Sequence, residues 1–249
     1  MEQITSRRNP LCLHLKKLGE SRGYREQSGE FLCDGLKLLE EAIRSNAYVT
    51  TVLTASRVVF PLQLDTRLHY TERNLIDSLS PLKHAQDTLF ACKIQHADAA
   101  FEPGAHILLD GVQDPGNVGT IIRTANAFGI KSVILADGCA DPYNPKSVRA
   151  SMGAIFRQKI RFAGASDLIA LKENGIRFVG AAIGGGCLDV SELDLKDTII
   201  AIGSERRGLS KEVLSLCDER LTIPMSPECE SLNASVAAAI IMWEASKPH

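Results

Sequence analysis

"HILLDGVQDPGNVGTIIRTANAFG", residues 106–129, passes from an apolar run through a glycine-hinged loop into a helical pattern. The run "HILLD" has the length and character of a buried strand. Gly116 and Gly119 allow the backbone to turn tightly, and either Asp114 or Asn117 is placed to cap the helix that follows. In that helix Ile121, Ile122, Ala125 and Phe128 form the expected buried stripe. Arg123 falls on another side, together with Thr120, Asn126 and Ala127. A loop that feeds a helix mouth suits a ligand bearing phosphate or carboxylate oxygens.

Working outward, the same alternation recurs. Apolar runs at 106–110, 132–136, 177–182, 198–203 and 220–224 are separated by helical patterns near 117–128, 146–157, 166–174 and 208–217. A last helical pattern lies near 233–246. Short apolar strands alternating with helices predict an α/β fold with a parallel sheet covered on both faces. Ligands of such sheets sit beyond the carboxyl ends of the strands, so the loops after the runs are the places to search. Residues before 100 read differently. A basic helical stretch, "NPLCLHLKKLGESR", precedes a strand-to-helix step, "GEFLCDGLKLLEEAIRSN", and the strands "YVTTVLTA" and "LFACKIQ". With "HADAAFEPGA" (96–105) as a linker, the chain divides into residues 1–100 and 105–249.

Bulk properties exclude several classes. Of 249 residues, 45% are apolar and the net charge is −2, as in an ordinary soluble globular protein. No apolar run approaches the roughly 20 residues that span a bilayer. The polar N-terminus lacks a signal core, and the expected location is the cytoplasm. Seven scattered cysteines without a C-x-x-C spacing argue against a metal site and for reduced thiols. The charge distribution says more than its sum. Residues 1–25 carry six basic residues against two acidic ones, and "YNPKSVRASMGAIFRQKIR" (143–161) carries five and no acid. Two such stretches point to a polyanion, with Arg7, Arg8, Lys16, Lys17, Lys146 and Arg149 as candidate contacts.

Two further loops carry polar residues at helix mouths. "IGSERRGLSKEV" (202–213) has Gly203 and Gly208 at P-loop spacing, but Leu209 stands where the lysine belongs. A nucleoside triphosphate is therefore disfavoured, and without G-x-G-x-x-G so is a dinucleotide. Glu205 there would repel phosphate. It suits a cationic or hydroxyl-bearing ligand, or an arginine such as Arg206. In "IPMSPECESLNASVAAAIIMWEA" (223–245), Ser231 and Asn233 stand before an apolar helix, as caps or as ligand-binding groups.

"PGNVGTIIRTANAFG", "IGSERRGLS" and "IPMSPECESLNASVAAAI" together resemble the three ordered motifs of the SpoU (TrmH-type) RNA ribose 2′-O-methyltransferases of the SPOUT superfamily. "SVRASMGAIFR" is similar to the segment between the first two motifs. The N-terminal part is similar to the family's RNA-binding domain, which has the ribosomal protein L30e fold. The resemblance implies S-adenosylmethionine bound in a deep trefoil knot, and an obligate homodimer formed through the C-terminal domain. It implies Asn117, Arg123, Glu205, Ser231 and Asn233 as catalytic residues, with Arg123 central. Backbone groups at Gly203, Ile223 and Leu232 would hold the methyl donor. Where the family often has Thr after the third strand, this chain has Ala182. Because Arg almost never loses its proton, Arg123 is expected to hold phosphate and stabilise a developing alkoxide. A ribosomal RNA substrate is preferred. A transfer RNA, or a non-catalytic RNA-binding role, is the alternative.

Overall fold

The computed structural model describes residues 3–95, 101–184, 186–226 and 228–247, so half of the expected linker, residues 96–100, lies outside the described residues. The chain forms two compact units. One comprises residues up to Gln95 together with Asp141–Arg157, and the other comprises His96–Ala140 and Gln158–His249.

The first unit opens with α1 (Pro10–Glu20), where Asn9 accepts from Leu11 N and Pro10 takes the first position. Proline is well suited there because its missing N–H has no helical partner to lose. Ser21 ends α1 and caps α2 (Arg22–Ser28), which stops at Gly29 with φ +64°. Then follow β1 (Glu30–Asp34), α3 (Leu36–Arg44), β2 (Val49–Thr54), β3 (Arg67–Tyr70), α4 (Arg73–Leu79) and β4 (Thr88–Lys93). The strands form one sheet in the order β1-β4-β2-β3, with β4 antiparallel to both neighbours. Leu15, Leu18, Leu32, Leu53, Ile76 and Leu89 fill the core beneath it. Neither β3 nor α4 is evident in the sequence, since β3 is a half-exposed edge strand without apolar alternation.

The sheet of the second unit begins in the glycine-hinged stretch 106–129. "HILLD" is β5 (His106–Asp110), followed by α5 (Pro115–Ala127) and β6 (Ser132–Leu135). Asp114 is the cap of α5, accepting from Asn117 N at 2.9 Å. Ile121, Ile122 and Ala125 are buried as expected, but Phe128 is the half-buried C-cap, its ring 5.7 Å from that of Trp243.

After β6 the chain leaves this unit for residues 141–157. The helix expected near 146–157 is α6 (Pro145–Ala150) followed by a separate 3₁₀ turn at 154–156. Tyr143 and Phe156 set their rings 5.0 and 6.2 Å from Phe31 of β1. Arg25, buried, donates to Asp141 Oδ2 at 2.8 and 2.6 Å. Division of the chain at residue 105 therefore cuts across the first unit. Local periodicity shows that a segment has an apolar face, but not which core receives it.

The chain returns as β7 (Ile160–Phe162), α7 (Ala165–Glu173), β8 (Arg177–Ala181), β9 (Leu188–Asp189), β10 (Thr198–Gly203), α8 (Lys211–Leu216), β11 (Glu219–Thr222) and α9 (Ala234–Ala245). Seven strands pair in the order β7-β6-β5-β10-β8-β11-β9, every pair parallel. All five apolar runs are strands of this sheet, whereas β7 and β9 are edge strands of two or three residues with little apolar signal. β10 lies between β5 and β8, and Gly203 pairs with Asp110. That register places the ends of β5 and β10, and hence the first two motif loops, side by side.

Candidate active site

Three helix mouths and turns meet beyond the carboxyl ends of β5, β10 and β11. Asn117 stands at the third position of α5, within its half-buried first turn. Its Nδ2 donates to Glu205 Oε1, and its Oδ1 accepts from Asn233 Nδ2 at 3.2 Å. Asn233 caps α9, its Oδ1 accepting from Ser235 N at 2.9 Å and from Ser235 Oγ at 2.6 Å. Both amides are thereby fixed in orientation. A carboxylate is an acceptor only, so Asn117 must turn its nitrogen to Glu205 and its oxygen to Asn233. The partner of Glu205 is Asn117, not Arg206.

The turn that carries Glu205 is anchored from below. Asp110 Oδ2, at the end of β5, accepts from Ser210 N at 2.6 Å. Ser204 and Gly208 exchange backbone hydrogen bonds of 3.1 and 2.9 Å. Gly203 permits no side chain, because a Cβ there would run into the carbonyl of Gly208. This close approach, rather than phosphate binding, explains the glycine pair of the near P-loop.

Beside the turn opens a cleft of about 520 Å³. Gly203, Glu205, Ile223, Ser231 and Leu232 all line it, as do Ala182, Arg206 and Arg207. Its deeper wall is apolar, with Leu209, Leu214, Leu221 and Ile241. Ser231 is exposed at the rim and is not the helix cap, a role that falls to Asn233.

Arg123 stands apart from this cluster. It is exposed, and its side chain takes part in no hydrogen bond or ion pair among the described residues. Helix geometry puts it about 9 Å along α5 from Asn117 and about 120° around the axis. The basic stretches also sort themselves. Arg7, Arg8 and Lys146 are exposed, and Lys17 lies 5.4 Å from the Tyr24 ring. Lys16 sits 3.9 Å from Glu20, and Arg149 donates to the His84 carbonyl at 3.2 Å. Arg25, Arg157 and Lys159 are instead structural cations, paired with Asp141, Glu41 and Glu102. The Asp110 anchor and Arg207 carry no signal in the reading of single motifs, and Arg206 figures there only as a possible partner of Glu205. The Arg206–Arg207 doublet is legible only as two adjacent cations in a short strand-to-helix turn.

No group of three His, Cys, Asp or Glu side chains among the described residues is placed to hold a metal ion. None of the described helices is long and apolar enough to cross a membrane.

Fold and cleft define an α/β protein that binds a small ligand at the carboxyl ends of a parallel sheet, with a polar relay at the cleft mouth. The sequence profile of the SpoU rRNA methylase family matches residues 104–243. The chain is 31% identical, over 98% of both chains, to the 23S rRNA (guanosine(2553)-2′-O)-methyltransferase RlmP of Bacillus subtilis. To the 23S rRNA (uridine(2479)-2′-O)-methyltransferase of Streptomyces viridochromogenes it is 32% identical, over 98% of this chain and 91% of that one. The solved SpoU methyltransferase AviRb of Streptomyces viridochromogenes, in complex with AdoMet, superposes with a TM-score of 0.86 at 29% identity, covering 96% of this chain and 97% of that one. The protein belongs to the SpoU rRNA methylase family.

Proposed function

We propose that the protein is an S-adenosylmethionine-dependent methyltransferase acting on a ribose 2′-hydroxyl of ribosomal RNA. The observation that carries this reading is the relay from Asn233 through Asn117 to Glu205, which borders a cleft of ligand size. The cleft suits the donor, since its wall is apolar and polar groups of the turn and of the chain before α9 stand at its edge. Backbone groups of Gly203, Ile223 and Leu232 would hold it. When bound, S-adenosylmethionine supplies a methyl group made electrophilic by the sulfonium.

The chain's own residues do the rest. Glu205, aimed by Asn117, accepts a hydrogen bond from the target hydroxyl and takes its proton as the hydroxyl is methylated, and Ser231 and Asn233 orient the ribose. Arg123 keeps its charge and presents a planar fork of donors to the RNA phosphate and to the alkoxide as it forms. Alignment of hydroxyl and methyl supplies much of the acceleration. A knotted C-terminal chain belongs to the same reading, as the motif resemblance implies. Val236 and Trp243, seven residues apart on one face of α9, are 47% and 53% exposed, and this supports a homodimer through that unit. The first unit, similar to an L30e domain, then positions the RNA through Arg7, Arg8, Lys16, Lys17, Lys146 and Arg149. Such an enzyme would work in the cytoplasm, beside its ribosomal RNA substrate.

The relatives methylate a guanosine and a uridine, so the target base is left to experiment. Transfer of labelled methyl from S-adenosylmethionine to ribosomal RNA, with ribose methylation mapped in cells with and without the gene, tests the reading. One 2′-O-methyl site that disappears with the gene is the expected result; an unchanged map refutes it.

A further inference from the structure

The turn between β10 and α8 carries two arginines that the relay does not use. Arg206 and Arg207 are exposed, and both line the cleft one and two residues beyond Glu205. Neither takes part in an ion pair or a side-chain hydrogen bond among the described residues. Their backbone is nonetheless held: the reciprocal Ser204–Gly208 bonds close the turn, Arg207 N donates to Ser204 Oγ at 3.3 Å, and Gly208 adopts φ +65°. Two cations on a rigid turn lose less freedom on binding an anion than two on a mobile loop.

Charge balance assigns them a purpose. Glu205 places a carboxylate at the mouth of a site that must admit a polyanion, and its partner Asn117 is a neutral amide that cancels none of that charge. A phosphodiester would be repelled unless cations stood close by. Arg206 and Arg207 stand next in the chain, and a guanidinium fork matches two phosphate oxygens where an ammonium offers only a point charge.

We propose that Arg206 and Arg207 form a phosphate clamp that grips the RNA backbone flanking the target ribose and offsets the repulsion from Glu205. The clamp rests on the RNA methyltransferase reading and adds a substrate-binding element to it. It is distinct from the contacts of the first unit, which lie on other elements. The other duty open to these side chains, holding the carboxylate of the methyl donor, makes the opposite forecast for donor affinity.

The test compares the full-length wild type, Arg206→Ala/Arg207→Ala and Arg206→Lys/Arg207→Lys. Titration calorimetry measures S-adenosylmethionine binding, and filter binding and methyl transfer use protein-free ribosomal RNA across a salt series. The alanine pair should raise the KM for RNA about tenfold. It should also lower the slope of log affinity against log salt by about 1.4, the loss of two single-strand phosphate contacts. Donor affinity should stay within about twofold of wild type. The lysine pair should recover the salt slope but only part of the KM. Loss of donor affinity in the alanine pair, or RNA binding equal to wild type, overturns the clamp while leaving the methyltransferase intact. Wild-type protein that transfers no methyl group to any ribosomal RNA would remove both readings together.

Discussion

A single permanently charged side chain on the face of α5 turned away from the relay is the least expected feature of the site. Arg123 contributes nothing visible to the fold, since it is exposed and without partners among the described residues. Its replacement should therefore leave thermal stability and donor binding nearly unchanged while methyl transfer falls by about 10²–10³. Arg123→Lys should fail almost as badly, because a point charge does not reproduce the fork. Transfer at more than a tenth of the wild-type rate by Arg123→Ala would remove it from the chemistry. The opposite kind of residue is His106, buried at the start of β5. Its Nε2 lies 2.9 Å from the Glu102 carbonyl and its Nδ1 2.7 Å from Ser132 Oγ. A carbonyl only accepts, so Nε2 carries a proton, and in the neutral ring Nδ1 then accepts from the serine hydroxyl. Burial lowers its pKa below the ordinary 6.5. The unfolded chain therefore takes up a proton below that value before the folded chain does, so stability is full above pH 6.5 and is lost as pH falls beneath it. Urea midpoints at neutral and at mildly acidic pH should diverge more for wild type than for His106→Gln. Equal pH dependence would refute the assignment.

At the scale of elements, the site is built by pairing register. β5 and β10 run parallel with Gly203 beside Asp110, and this adjacency alone brings together loops 88 residues apart in the chain. Sequence reading found each loop as a glycine-bearing helix mouth and found the strands of the sheet interior, because buried parallel strands are continuous apolar runs. It could not find the pairing of Asn117 with Glu205 or with Asn233, since strand order is not written in local pattern. Nor could it choose between Asp114 and Asn117 as the cap: both types cap helices well, and only the backbone decides. The relay makes a sharp forecast. Asn117→Asp keeps the shape but removes the donor to Glu205, setting two acceptor carboxylates against each other. Methyl transfer should drop by about 10² while donor binding persists, and the activity lost should be partly regained at lower pH, where one carboxyl takes a proton. A variant as active as wild type would show that the relay does not orient Glu205 for methyl transfer.

For the whole molecule, the decisive feature is that the chain between β6 and β7 folds into the other unit. Residues 141–157 put Tyr143 and Phe156 against Phe31 and set Asp141 on the buried Arg25. No motif announced this, because the stretch reads equally well as a basic amphipathic helix of either half. Its consequence is that the catalytic half should not stand alone. A chain beginning at residue 104 keeps the SpoU profile intact, yet it strips the cover from Tyr143, Val148 and Phe156, all buried in the full chain. Exposing a few such side chains costs about 1.5–3 kcal/mol each, a large share of the stability of an ordinary domain. The shortened chain is expected to bind a hydrophobic dye, to aggregate, and to lose donor binding along with RNA methylation. A milder probe acts on the full chain. Arg25→Met leaves the half-buried Asp141 carboxylate without its partner, which should destabilise the first unit by about 2–4 kcal/mol. RNA affinity should then fall before donor affinity does, since the donor cleft lies wholly within the second unit. Light scattering and calorimetry on both proteins make the comparison. A shortened chain that unfolds cooperatively, shows no dye binding and takes up S-adenosylmethionine as the full chain does would show that residues 141–157 find their structure without the first unit.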